Sequence, residues 1–174
     1  SIDTLIPTAA TGSVFWWFNC TVFSDVHWGW GDTNADTFIF CELSNSKVSI
    51  YARNTGTNKF FLDSDTVSNP TGYWHSACLT QDGTEAKIYI DGALSNSSFS
   101  QDADKGFWIP DASGIDNFTL GMERRNSLSL NFYNGLLDEL SVWSRELTAA
   151  EISTLHNSGA GIPIGSIWKE KGTA

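Results

Sequence analysis

The chain has 174 residues, enough for one domain with a substantial buried core. Hydrophobic residues make up 41% and charged residues only 17%, which is typical of a β-rich domain with many polar turns. The net charge of -10 argues against nucleic acid or an anionic membrane as a partner, because phosphate contacts require clustered Lys and Arg. No apolar run approaches the ~20 residues that span a bilayer, so we expect no membrane insertion.

Strand signals dominate most of the chain. The first long run, residues 13–23, is rich in aromatic and β-branched residues and is apolar on both faces near its middle, as in a central strand of a sandwich. Two pairs of runs predict hairpins, the clearest of which turns at Asp82-Gly83. The further runs with strand character are residues 37–43, 47–53, 59–63, 73–81, 86–92, 117–122 and 131–144.

Between the first two strands lies the segment HWGWGDTNAD, residues 27–36. In an extended segment, residues two apart point the same way, so the indoles of Trp28 and Trp30 could form a flat platform for a sugar ring. The alternative is that Trp28 plugs the core and the glycines only make a turn. The candidate ligand-binding residues are Trp28, Trp30, Asp32, Asn34 and, in a later polar loop, Trp108.

The same segment offers a candidate calcium site. Asp32, Asn34 and Asp36 alternate like the first half of a hard-cation loop. The pattern then departs from the helix-loop-helix calcium motif, because Thr37 replaces its Gly and Leu43 replaces its distal Glu. A calcium site and a solvated polar turn therefore both remain open.

One helix is predicted, near the C-terminal end of the chain. Thr148 suits the N-cap with Glu151 three residues later, a capping box in which each side chain satisfies a free amide of the other residue. Ile152 and Leu155 share a face, and Gly159 suits the left-handed position after the helix. We expect a helix of about three turns on the edge of a sandwich.

Four motifs in order resemble the laminin-G-like and pentraxin-like branch of the concanavalin A-like fold. They are Trp74-His75 opening a strand, Tyr-x-Asp-Gly at residues 89–92, Gly-x-x-Asp-Glu-x-x-x-Trp at residues 135–143, and Leu-Thr-x-x-Glu-Ile at residues 147–152. The resemblance covers residues 13–161 and implies an all-β, antiparallel two-sheet jelly-roll sandwich with one short C-terminal helix. Residues 1–12 are then a lead-in with room for only a truncated first strand, and residues 162–174 are an extension.

The resemblance also bears on cysteines and calcium. Pentraxin-like members join two strands by a disulfide, which implies a Cys20–Cys78 bridge in an oxidising compartment; three buried reduced thiols, including Cys41, are the alternative. Pentraxin-like members also bind calcium through a loop where this chain places Arg125. A guanidinium repels a cation, so that family site looks lost.

Catalysis is not expected. Asp138 and Glu139 are neighbours on a predicted strand, so they should point to opposite faces, with Asp138 as a buried structural residue. The glucanase-like hydrolases of this fold carry Glu-x-Asp-x-Glu on one strand face, and that triplet does not occur in this chain. His75 lacks a nucleophile or metal-ligand partner and is expected to pack or form hydrogen bonds.

These features predict a non-catalytic recognition module of an extracellular, cell-surface or virion-surface protein. Its partner would be a glycan bound at Trp28 and Trp30, with calcium as the candidate cofactor, or a surface protein. The rival is a structural domain of a surface assembly such as a virion or appendage. The ends of the chain suggest one module of a larger chain or of a homo-oligomeric assembly.

Overall fold

The computed structural model describes residues 8–21 and 25–162. These form the strands β1 (Gly12–Cys20), β2 (Asp25–Gly31), β3 (Phe38–Ser44), β4 (Lys47–Asn54), β5 (Thr57–Thr66), β6 (His75–Gln81), β7 (Ala86–Ile90), β8 (Ala93–Leu94), β9 (Ser98–Gln101), β10 (Asn117–Leu120), β11 (Glu123–Arg125), β12 (Leu128–Leu130) and β13 (Gly135–Trp143). One helix, α1 (Ala149–His156), and two 3-10 turns, Ile109–Asp111 and Asn157–Gly159, complete the described part. The lead-in before residue 8 and the extension after residue 162 lie outside the described residues.

Two antiparallel sheets form a sandwich, as predicted. The five-stranded sheet has the order β13-β1-β6-β7-β8, and the six-stranded sheet has the order β10-β2-β3-β4-β5-β9. Strands β11 and β12 form a separate hairpin. Side chains from the inner faces of both large sheets meet in one hydrophobic core, as in other face-to-face sandwiches.

Strand β1 is a central strand buried on both faces. Trp16 and Phe18 point into the sandwich core, whereas Phe15 and Trp17 point outward beneath α1. Because side chains alternate along a strand, a strand covered by a sheet on one side and a helix on the other must be apolar throughout. The prediction of a central strand here is confirmed.

The predicted helix exists and is shorter than expected. Thr148 and Glu151 form the capping box, with the Thr148 hydroxyl accepting from the Glu151 amide at 3.3 Å. The helix has eight residues, just over two turns at 3.6 residues per turn. It ends early because Asn157, rather than Gly159, is the left-handed residue that closes it, with φ 47. None of the helices in residues 8–21 and 25–162 has the length and apolar character to cross a membrane.

The expected Cys20–Cys78 bridge is wrong. All three cysteines are free and buried. Cys78 pairs with Phe15 across the β1–β6 ladder, five residues from Cys20, which is ~16 Å along a strand and far beyond the ~7 Å Cα limit of a disulfide. Cys20 also faces the sandwich core and Cys78 faces α1, so the two thiols lie on opposite sides of one sheet.

Candidate functional site

The predicted tryptophan platform is wrong because its residues lie in the core. Residues 25–31 are a strand, β2, flanked by β3 and β10, and not a loop. Trp28 and Trp30 do share one side, as the spacing predicted, but that side faces the sandwich interior, and both are fully buried. Their ring centroids lie 5.4 Å apart, and Trp16 is 5.3 Å from Trp28. The alternative, in which the tryptophan side chain fills the core, therefore describes these two residues better.

Trp108, the second platform candidate, is also buried. It precedes the 3-10 turn Ile109–Asp111, and its ring centroid lies 6.3 Å from that of Trp30. Its indole fits against the start of β1: a Cβ added at Gly12 would lie 2.7 Å from Trp108 Nε1. A side chain packed this closely belongs to the hydrophobic core and has no exposed face for a ligand.

The candidate calcium residues form a salt-bridged turn. The Asp32 carboxylate accepts from the backbone amide of Asn34 at 2.7 Å, an Asx turn. The Asp36 carboxylate is held by two guanidinium groups, those of Arg53 at 2.8 Å and Arg125 at 2.5 Å. Those two positive groups occupy the place where a cation would have to approach, so the geometry does not support the Asp32, Asn34 and Asp36 site. Among the described residues, no group of three or more His, Cys, Asp or Glu side chains could hold a metal ion.

A different surface combines aromatic and acidic groups. It is a cavity of about 190 Å³ on the outer side of the five-stranded sheet, and we call it the acidic cleft. A neighbouring cavity of about 390 Å³ shares its Trp17, Trp74 and Gly159. Residues lining the acidic cleft are Trp17, Trp74, Asp138, Glu139, Gly159, Ala160 and Gly161.

The two acids reach the cleft through a β-bulge in β13. The β1–β13 register shifts between Phe15 and Trp17, and Glu139 adopts a left-handed φ of 48. Leu137 and Leu140 both pack on the sandwich core although they are three residues apart, which leaves Asp138 and Glu139 together on the outer side. The expectation of opposite faces was therefore wrong, because regular alternation fails at a bulge. Asp138 is also exposed, and not a buried structural residue.

Within the described part of the chain, no positive side chain pairs with these carboxylates. The Asp138 carboxylate accepts from the Glu139 amide at 2.8 Å. Neither acid takes part in any ion pair among residues 8–21 and 25–162, and no Lys or Arg lines the cleft. The side chain of Glu139 reaches toward the chain after α1, since a Cβ at Gly161 would lie 3.0 Å from Glu139 Oε2. The carboxylate oxygens are thus available as hydrogen-bond acceptors.

Exposed aromatic rings flank the cleft. Trp74 is 43% exposed and Tyr73 is 63% exposed. The sequence placed both at the start of a strand, but β6 begins only at His75, which leaves the two rings in the preceding loop. That loop is tied to the end of β1, where the Gly72 amide donates to the Cys20 carbonyl at 2.9 Å. The sequence signal that could have indicated this site is a pair of adjacent aromatic residues, Tyr73 and Trp74, directly after the polar turn at residues 68–72.

His75 anchors the same loop and has the structural role predicted for it. It is buried, its Nδ1 lies 2.9 Å from the Asp91 carboxylate, and its Nε2 lies 3.2 Å from the Asn69 carbonyl. Both partners are acceptors, and the protonated ring, which donates from both nitrogens, is the form that satisfies both contacts. The hydrogen bond to Asp91 raises the pKa of His75 above its usual value.

Trp17 forms the floor of the cleft. It is 6% exposed, pairs with Asp138 across the β1–β13 ladder, and stacks on His156 of α1 with ring centroids 5.4 Å apart. Its indole Nε1–H is buried and has no hydrogen-bond partner among the residues that the structure describes. The indole N–H groups of Trp28 and Trp108 in the core are in the same state, so this donor does not by itself mark a ligand site.

Comparisons with known proteins agree with the sandwich. A family model, Laminin_G_3, described as the concanavalin A-like lectin/glucanases superfamily, matches residues 3–153. A search of curated proteins finds no significant match.

Among solved structures, the CBM40 of the Ruminococcus gnavus IT-sialidase, bound to α2,3-sialyllactose, has a TM-score of 0.74 and 20% identity. The match covers 88% of this chain and 85% of that one. The leech intramolecular trans-sialidase matches with a TM-score of 0.73 and 20% identity over 92% of this chain, but only 25% of its own. A native heptameric SAP-like pentraxin from Limulus polyphemus matches with a TM-score of 0.64 and 17% identity, covering 90% of this chain and 74% of that one. At these identities the likeness shows the fold.

Proposed function

We propose that this chain, which belongs to the concanavalin A-like lectin/glucanases superfamily, is a non-catalytic module that binds glycans in the acidic cleft. One observation carries the proposal: the exposed Trp74 stands beside two unpaired carboxylates at a cavity on the domain surface. An aromatic face packs against the apolar C–H side of a sugar ring, and carboxylate oxygens accept from its hydroxyls.

The structural neighbours support a binding role of this kind. The Ruminococcus gnavus module is a CBM40 bound to sialyllactose, and the NanB sialidase of Streptococcus pneumoniae contains a similar fold over 25% of its chain. The geometry of the acids supports a non-catalytic role. A glycosidase places its two carboxyl groups on either side of the scissile bond, whereas Asp138 and Glu139 are adjacent on one bulge and would meet the same side of a sugar.

An extracellular or particle-surface setting belongs to the same proposal. The similar solved structures include modules of sialidases, and the buried free thiols of this chain require no particular redox compartment. The module would then serve as the recognition part of a larger surface protein.

A glycan array with the purified chain tests the proposal. The key variant is Trp74→Ala, and the control is Phe132→Ala, which removes another exposed ring, one that does not line the cleft. We expect the wild type and the Phe132→Ala control to bind the same glycans and Trp74→Ala to lose up to ~10-fold in affinity, the loss of one stacking contact. No glycan signal from the wild type, or equal binding by Trp74→Ala, would contradict the proposal.

The assembly role remains a second candidate because of other exposed apolar side chains. Phe132, Leu136 and Leu120 are large hydrophobic residues that are exposed on the described chain. Exposed apolar groups of this size suit contacts between subunits. Light scattering at increasing protein concentration distinguishes the roles: a stable oligomer that dissociates on Phe132→Asp, together with an empty glycan array, would favour assembly.

A further inference from the structure

We infer that the acidic cleft selects glycans bearing a free amino group over their uncharged counterparts, and uncharged glycans over those bearing a carboxylate; the inference rests on the glycan-binding function proposed above. It assigns a ligand class opposite in charge to the sialyllactose held by the Ruminococcus gnavus module.

The side chains that line the cleft carry negative charge. Asp138 and Glu139 are the ionisable side chains that line it, and neither has a cationic partner among the described residues. In the adjoining cavity, His75 pairs with Asp91 at 2.9 Å, and the other histidine, His156, has its Nδ1 2.9 Å from the Ser76 hydroxyl. A ligand therefore meets a local field of net negative sign, within a chain whose net charge is -10.

The size of the effect follows from Coulomb's law. An ammonium held ~4 Å from a carboxylate at an exposed site gains about fivefold in affinity even at the dielectric constant of water, and more as the cleft excludes water. A sugar carboxylate at the same distance loses a similar factor. Two carboxylates at this distance would together give about 25-fold, and screening by salt lowers each preference to about tenfold.

The other walls of the cleft fit an amino sugar independently of the two acids. The exposed face of Trp74 suits a cation as well as a sugar ring, because an ammonium is attracted by the negative face of an indole. Trp17 lines the floor of the cleft and stacks on His156, so an apolar surface lies beside the two acids. At Gly159 a Cβ would meet nothing within 4 Å, so this side of the cleft has open space.

Isothermal titration calorimetry on the full chain tests the inference with four probes. These are a glucosamine oligosaccharide, the N-acetylglucosamine oligosaccharide of the same length, lactose and 3'-sialyllactose. The first pair differs in the ammonium charge, and the second pair differs in the added carboxylate sugar. We expect the glucosamine oligomer to bind about tenfold tighter than its acetylated counterpart and lactose to bind at least fivefold tighter than sialyllactose.

Charge-removing variants identify the source of the preference. Asp138→Asn and Glu139→Gln keep the shapes of the side chains, and Asp102→Asn is the control, since it removes the same charge from an exposed loop that does not line the cleft. Each cleft variant should lower the preference for the ammonium from about tenfold to about threefold, because one of the two charges remains, and the control should keep it in full. The preference of the wild type should also shrink with added salt.

Two kinds of failure are distinguishable. If none of the probes and no array glycan binds, the proposed function itself fails. If uncharged glycans bind in a Trp74-dependent manner while sialyllactose binds as tightly as lactose, or the ammonium preference survives in full in both cleft variants, the function stands and the inference is overturned. Thermal unfolding of each variant confirms that the comparison is between folded proteins.

Discussion

Replacing Trp30 with alanine should destabilise the whole domain and should not act as the loss of a surface contact. The side chain is 1% exposed, and its ring centroid lies 4.8 Å from Phe118 and 5.4 Å from Trp28. The indole therefore joins β2 to the neighbouring edge strand β10 and to the rest of the inner face. Removing it leaves a cavity where two strands of the six-stranded sheet meet the core.

The cost can be worked out from this burial. Truncation of a buried Trp or Phe to Ala costs ~3–5 kcal/mol, because the transfer free energy of the ring and the contacts around the cavity are both lost. Single domains have total unfolding free energies of only ~5–15 kcal/mol. The variant should thus be folded but marginal, and any loss of ligand binding that it shows would follow from unfolding.

Urea unfolding followed by far-ultraviolet circular dichroism measures the effect without relying on tryptophan fluorescence. With a slope of ~2 kcal/mol/M, a loss of ~4 kcal/mol moves the midpoint down by ~2 M. Trp74→Ala is the matched control: it removes the same side chain from a 43% exposed position, and its midpoint should move by less than ~0.5 M. Equal midpoints for the two variants would refute the placement of Trp30 in the core.

Four further predictions concern the anchor of the cleft loop, the helix cap, the thiols and calcium. The folded-state pKa of His75 is raised, so the stability it contributes is complete below the unfolded pKa of about 6.5 and is lost as the pH rises through the higher folded pKa. The urea midpoint should therefore fall between pH 6 and pH 8 more steeply in the wild type than in Asp91→Asn. Parallel curves would count against a protonated His75. Thr148→Ala should cost ~1 kcal/mol in the same assay through loss of the capping box, whereas Thr154→Ala, at an exposed helical position, should cost less than ~0.5 kcal/mol; the reverse order would contradict the cap. Burial raises the pKa of the Cys78 thiol, and all three thiols are buried, so the native protein should resist alkylation while the urea-unfolded protein takes up the label at every cysteine; a bridged pair in non-reducing mass spectrometry would disagree with the fold. Millimolar calcium should leave the thermal midpoint unchanged, because the Asp36 carboxylate is already held by two guanidinium groups, and a rise that a chelator reverses would show that the ion displaces them.

The fold and its local features could be read from the sequence to a large extent. Alternation of apolar residues marked the strands, the apolar middle of β1 marked a central strand, and the Thr148–Glu151 spacing marked the helix start, all of which the structure contains. Each of these signals depends on residues close together in the chain, whose geometry is set by backbone periodicity. The order of four family motifs added the sandwich architecture.

The candidate site could not be located in the same way. Spacing correctly predicted that Trp28 and Trp30 share one side of an extended segment, but it carried no information on whether that side meets water or a second sheet. Aromatic residues recur at every second position both in an exposed binding surface and in the buried face of a strand. Which of them forms depends on β2 lying between β3 and β10 in one layer of a sandwich, and that is a property of strand order.

The acidic cleft depends on tertiary structure even more directly. Adjacent acids on a regular strand point apart, and only the register shift between β1 and β13 turns Asp138 and Glu139 to one side. Trp74 joins them because the loop before β6 is tied to the end of β1, and the glycines after α1 close the wall. The sequence by itself determined the strands, the helix cap and the superfamily, since these follow from local periodicity and short motifs. The tertiary structure decided which side chains are buried and which meet in a cleft, because both depend on hydrogen-bond register and packing between segments far apart in the chain.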